Sequence, residues 1–288
     1  MIPLILLLNL PEQEMKTQTI VFLVIFFVGM AAVIIYQFFK FFEQIHVNNK
    51  HKPFYVFNHL YKRKLKRTQL KILETKFDFY KKLSKKHQRN FQHRVACFIN
   101  DKEFVGRQEL KVTEEMKVLI SATAVMLTFG FRKYLIDTLD AIIIYPGIYY
   151  SEHSDQHHKG EFNPMLKALV LSWEDFVEGY NIGNDNLNLG IHEAVHAVHL
   201  NSLREDDISA YLFKNRFLDL TDFLQKNEHI RGKLIETKYF REYAFTNQFE
   251  FLSVLIESFF ETPSEFRSHF PNVYKHIKQM LNFNFAGY

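Results

Sequence analysis

Four polar side chains interrupt the apolar stretch GIHEAVHAVHL: His192, Glu193, His196 and His199. On a helix, positions four apart lie about 40° from each other and one turn apart, so His192 and His196 can present two imidazoles to a single Zn²⁺. Glu193, beside the first histidine, would then lie close to a water activated at that metal. A carboxylate there can take the water's proton as it attacks a carbonyl, then pass it to the leaving amine. The spacing is that of metal-assisted amide hydrolysis, H-E-x-x-H. Ala194, Val195, Ala197 and Val198 make the rest of the helix apolar, where purposeless histidines and a carboxylate would be costly to bury.

A third ligand has to come from elsewhere. A histidine ten residues after His192 would complete one familiar pattern, but that position is Ser202. His199 lies two turns from His192, about 10 Å along the axis, too far to share one metal with it. The stretch YAFTNQFEFLSVLIESFFETP offers Glu250 and Glu257 on one helical face, two turns apart. Asn247 followed by Glu250 also fits a capping box, so spacing alone does not choose between the two glutamates.

The elements that must position these groups follow from hydrophobic pattern and breakers. The run IVFLVIFFVGMAAVIIY, from Ile20 to Tyr36, continues through Phe38 and Phe39 and predicts one transmembrane helix over 19–39. It follows an N-terminal segment, 1–18, whose first ten residues are too short to span. The absence of a basic start argues against a cleaved signal peptide. From Lys40 to Arg94 there are sixteen Lys and Arg against three acids, which predicts a basic connector over 40–68, irregular around Pro53. By the positive-inside bias this charge places the C-terminal part in the cytoplasm, on the inner membrane, with the connector against anionic lipid headgroups. YKRKLKRTQLK is read as this topology signal and not as a nucleic-acid patch.

Residues 69–288 then read as one α+β domain, mostly helical with a small sheet. Two helices broken around Ser84 are expected over 69–98, followed by a buried helix capped by Thr113 and stopped at Gly130. AIIIYP and ALVLSW read as strands, and SEHSDQHHKGEFNP between them as a solvated loop in which His153, His157 and His158 hold no metal. Further helices are expected over 187–203, 208–225, 249–261 and 270–281. Cys97, the single cysteine, reads as a small buried hydrophobe.

From about Ile72 to about Phe283 the chain resembles the Mlc titration factor A family of zinc metallopeptidases. The resemblance is carried by EMKVLISATAVML, IIIYP, VLSWEDF, LGIHEAVH, YAFTNQFEFLSVLIESFFETP and FRSHFP. It implies a fold similar to the catalytic domain of anthrax lethal factor, a zinc cofactor, and peptide hydrolysis, with an aminopeptidase among the options. It further implies Glu250 as the third ligand and Tyr243 as a donor to the developing oxyanion. ALVLSW would be the edge strand that pairs with an extended substrate. Glu257 becomes a candidate for orienting a ligand histidine, and His199, where the family usually carries Asp, a candidate for a supporting contact. The alternative reading is a regulatory protein that uses the peptidase scaffold to bind a transcription regulator or another partner.

Overall fold

The computed structural model describes residues 12–59, 61–151, 155–181 and 185–288. They fall into two units, one ending at Lys50 and the other running from His51 to Tyr288.

The first unit is a single helix, α1 (Glu12–Lys50), in which Lys16–Lys50 is long and apolar enough to cross a membrane, with mean hydropathy reaching 2.8. From Ile20 to Phe42 its apolar side chains point outward all round, Phe22, Ile25 and Ile35 among them, so this stretch has no polar face to give to water. The helix does not stop near residue 39. FFEQIHVNNK contains neither Gly nor Pro, so nothing breaks the helix until the approach to Pro53, and Lys50 in the last turn suits the helix dipole. The expected connector is therefore helical over its first part and irregular from 51 to 66 where described. Residues 1–10 lie outside the described residues.

In the second unit, α2 (Arg67–Lys76), α3 (Asp78–Lys82) and α4 (Lys85–Asp101) occupy the region where two helices were expected. Ser84 begins α4 by accepting from the His87 amide, and a further break falls at Phe77, whose extended backbone carries its ring into the core. Thr113 caps α5 (Glu114–Leu127), with Glu114 and Glu115 in the first turn. Gly130 is not its cap, which is Thr128; a Cβ at Gly130 would lie 2.1 Å from the Leu281 carbonyl oxygen, so the glycine permits a close chain crossing.

The strands are β1 (Glu103–Gly106), β2 (Ala141–Tyr145), β3 (Tyr149–Ser151), β4 (Gln156–His158), β5 (Gly160–Asn163) and β6 (Ala168–Ser172). The main sheet has the order β1-β2-β6-β5, with β1, β2 and β6 parallel and β5 antiparallel to β6; β3 and β4 form a separate hairpin. Two expectations are corrected here. The polar stretch before Pro164 is largely strand: His157 and His158 sit in β4, while His153 lies outside the described residues. ALVLSW is not an edge strand, since β6 pairs with β2 on one side and β5 on the other. Every residue of β6 is buried, as an unbroken apolar run should be in an internal strand.

The remaining helices are α6 (Trp173–Asn181), α7 (Leu189–Arg204), α8 (Ile208–Lys226), α9 (Glu228–Glu236), α10 (Gln248–Glu261), α11 (Pro263–His269) and α12 (Pro271–Met280), with a 3₁₀ turn at Glu242–Phe245. Helix α7 packs against α5, α8 and α10 and beneath β5 and β6, while Leu252, Leu255, Ile256 and Phe259 of α10 are fully buried. Burying each such side chain contributes about 1.5–3 kcal/mol, so the α7–α10 pairing is held by apolar contact independent of the polar groups on it.

Candidate metal centre

Asn188 starts α7 by accepting from the Ile191 amide at 3.0 Å, while its own amide group donates to Gly179 O and to Glu261 Oε1. Gly190 lets α6 come close, because a Cβ there would lie 2.4 Å from the Phe176 ring. The first two turns of α7 are thus fixed, and His192 and Glu193 are buried at 6% and 8% exposure. The rings of His192 and His196 are 4.9 Å apart, edge to face.

Helix α10 brings the carboxylate. Asn247, in extended conformation, accepts from the Phe249 and Glu250 amides at 2.8 and 3.0 Å, so the helix is capped without the Glu250 side chain. That side chain turns inward instead, with Oε2 2.8 Å from His192 Nε2 and Oε1 3.5 Å from His196 Nε2. Ligand atoms of His192, His196 and Glu250 all lie within 4.8 Å of one another, and two imidazole nitrogens with one carboxylate oxygen are a donor set compatible with zinc. Burial opposes charge on Glu250, but bonds from both histidines outweigh it and hold the carboxyl well below its usual range.

Behind the two imidazoles stand residues one and two turns further along the same face of α10. Glu257, with no exposure, bonds His192 Nδ1, and Ser253 Oγ lies 3.4 Å from His196 Nδ1. Burial works against the charged form of His192, yet Glu250 and Glu257 on its two nitrogens push its pKa up to about 9. Arg241 adds a cation: Nη2 donates to Glu257 Oε1 at 2.8 Å and Nη1 to Asn186 O at 3.0 Å.

Tyr243, in the 3₁₀ turn, has its ring centroid 5.9 Å from that of His192 and is half exposed. Burial, followed by the Glu250 carboxylate against its hydroxyl, pushes its pKa up to about 12, so it carries its proton at neutral pH. Glu193 lies under β5, where a Cβ on Gly160 would come 3.0 Å from Glu193 Cγ. Burial raises its carboxyl while His192 and His196 pull the other way, which suits a group that accepts a proton. A cleft of about 420 Å³ opens onto His192 and Glu193, lined also by Lys159, Gly160, Arg241 and Tyr243.

His199 packs elsewhere, against the rings of Phe213, Phe217 and Phe249 at 5.9, 4.9 and 4.9 Å, and its Nδ1 has no hydrogen-bond partner among the described residues. Burial lowers its pKa to about 4, so it is a neutral ring in the aromatic core and does not back a ligand.

Residues 49–282 match the family described as glucose-regulated metallo-peptidase M90. The chain belongs to this family. Among curated proteins, the uncharacterized protein slr2042 of Synechocystis sp. is 24% identical over 230 residues, covering 72% of this chain and 81% of that one. Membership of the M90 family carries a metallopeptidase-like domain, and the His192–His196–Glu250 cluster is where such a domain has donors for a metal.

Two residues of the centre, Ser253 and Arg241, escaped the reading of the sequence. Ser253 carried a usable signal, since it falls between Glu250 and Glu257 on the same helical face. Arg241 carried none, because its role depends on a carboxylate sixteen residues away.

Proposed function

We propose that this M90 protein is a membrane-anchored zinc peptidase whose soluble domain faces the cytoplasm. The observation that carries the reading is the convergence of Glu250 on His192 and His196 while the adjacent Glu193 lines an open cleft. Zinc, when bound by these three residues, would supply Lewis acidity to a carbonyl and ease the loss of a proton from water. Glu193 takes that proton and returns it to the leaving amine; its burial favours an elevated affinity for the proton. Tyr243 donates its hydroxyl to the oxyanion of the tetrahedral intermediate. The substrate is an extended peptide. Strand β5 carries an open outer edge among the described residues and passes over Glu193, so it, in place of β6, takes the peptide by β-addition. The basic stretch Lys62–Lys64 with Lys66 and Arg67 rests against anionic headgroups and keeps the domain on the cytoplasmic side.

The test is metal analysis of the full chain in detergent micelles together with hydrolysis of a peptide library, with free and blocked N-termini to separate terminal from internal cleavage. About one zinc per chain and metal-dependent hydrolysis are expected, both lost in His192→Ala. Zinc retained in His192→Ala and His196→Ala would place the metal elsewhere, and zinc without hydrolysis of any peptide would turn the reading to a binding protein on this scaffold. Reporters fused before α1 and after Tyr288 test orientation: a C-terminal reporter active only outside the cytoplasm overturns it.

A further inference from the structure

Arg241 occupies a place that peptide hydrolysis does not by itself require. Its guanidinium reaches three groups from three parts of the chain: Asn186 O before α7, Glu257 Oε1 on α10, and His192 Nδ1, which lies 3.0 Å from Nη2. Glu257 has no exposed surface, and a carboxylate buried without a paired cation is strongly unfavourable. Among the described residues the other hydrogen bonds to Glu257 are from His192 Nδ1, on the same oxygen, and from the Asn188 backbone amide at 3.4 Å on the other. Arg241 also immediately precedes the 3₁₀ turn that carries Tyr243, with its guanidinium carbon 5.8 Å from the Tyr243 ring.

We propose that Arg241 is a positioning residue for the metal centre: its forked guanidinium ties Asn186 to Glu257, and through Glu257 it fixes the ring of His192 so that Nε2 faces Glu250 and His196. The geometry of a fork is needed, because one nitrogen holds the loop entering α7 while the other holds α10, and these are the two elements that carry the ligands. A ligand imidazole whose second nitrogen is anchored loses less freedom on binding metal, and residues that anchor it in this way change metal affinity by about 10- to 100-fold. The same fork sets the start of the Tyr243 turn, so the one arginine registers both the ligand and the oxyanion donor. This inference rests on the zinc reading of the site.

The experiment measures zinc affinity of the full chain in detergent micelles, by competition between the protein and a chelating dye, and the unfolding temperature of the zinc-free protein. Arg241→Met is expected to weaken zinc by about 10- to 100-fold and to lower the unfolding temperature, because Glu257 loses its cation. Arg241→Lys keeps the charge but not the fork; it should unfold near the parent and still bind zinc more weakly. The double variant Arg241→Met with Glu257→Gln removes both charges, and it should recover the unfolding temperature without recovering zinc affinity. Parental affinity in Arg241→Met, or recovery of both properties in the double variant, would overturn the proposal and leave Arg241 as a charge partner for folding alone. Failure of the parent itself to bind zinc would instead overturn the functional reading on which the proposal stands.

Discussion

Replacing Glu250 and Asn247 one at a time separates two jobs that the first turn of α10 carries within four residues. Asn247 accepts from both the Phe249 and Glu250 amides, whereas the Glu250 carboxylate lies between His192 and His196. Loss of such a cap costs about 0.5–2 kcal/mol, which for a domain of this size lowers the unfolding temperature by about 2–4 °C per kcal/mol. Loss of a ligand is larger. A four-ligand structural zinc site contributes about 10–16 kcal/mol, or about 2.5–4 kcal/mol per ligand, and at about 1.4 kcal/mol per decade that is roughly 10²- to 10³-fold in Kd. Glu250→Ala should therefore lose roughly 10²- to 10³-fold in zinc affinity, and the zinc-free protein should also unfold at a lower temperature because the carboxylate's bonds to His192 and His196 go with it. Asn247→Ala should lower the unfolding temperature and leave zinc affinity near that of the parent. Dye-competition titration and thermal unfolding read the two effects side by side. If Glu250→Ala binds zinc within tenfold of the parent and Glu257→Ala abolishes binding, the ligand is Glu257 and the geometry has been misread.

Four further outcomes are expected. Glu193→Gln keeps shape but cannot accept the proton, so turnover should fall at least ~10²-fold with zinc retained, while Tyr243→Phe should lower turnover by roughly 10- to 10³-fold with zinc retained; stopped peptide assays with metal analysis check both. Burial raises the Glu261 carboxyl to about 7, and Oε2 has no hydrogen-bond partner among the described residues. An acid raised on folding contributes stability below its unfolded pKa that is lost as pH rises through about 7, so Glu261→Gln should unfold at a higher temperature than the parent at pH 8 and alike at pH 5. Discounted for partial exposure, the effect is about 1–2 kcal/mol. Gly190→Ala drives a methyl into the Phe176 ring and should cost about 1–3 kcal/mol in denaturant unfolding; a neutral result would show that α6 is free to move off α7.

What the sequence revealed divides along the range of the interactions involved. His192, Glu193 and His196 were legible because a helix converts a spacing of one turn into a shared face, and the α10 stripe of Glu250 and Glu257 was legible for the same reason. The choice between those two glutamates was not, because it depends on whether Asn247 caps alone, a matter of one side-chain rotation. Strands β4 and β5 were hidden by composition: Gln-His-His and Gly-Glu-Phe-Asn are too polar and too short to show alternation, and pairing with β3 and β6 holds them. The unbroken burial of β6 had its signal in plain view, since ALVLS lacks the alternation of a half-exposed edge. The continuation of α1 to Lys50 was obscured by reading charge as irregularity, although Lys and Glu are good helix formers. His199 looked like a fourth member of the polar set; the aromatic rings that surround it come from α8 and α10 and leave no trace near it in sequence.

The two helices that meet at the centre are far apart along the chain, His192 and Glu250 being 58 residues from each other. A metal held by both would act as a reversible staple closing the excursion through α8, α9 and the 3₁₀ turn into a loop. Chain-entropy reckoning for a permanent link of that size gives about 4 kcal/mol of restraint on the unfolded ensemble. Loading the metal would slow amide exchange along α7 and α10 while leaving the outer turns of α9 comparatively open.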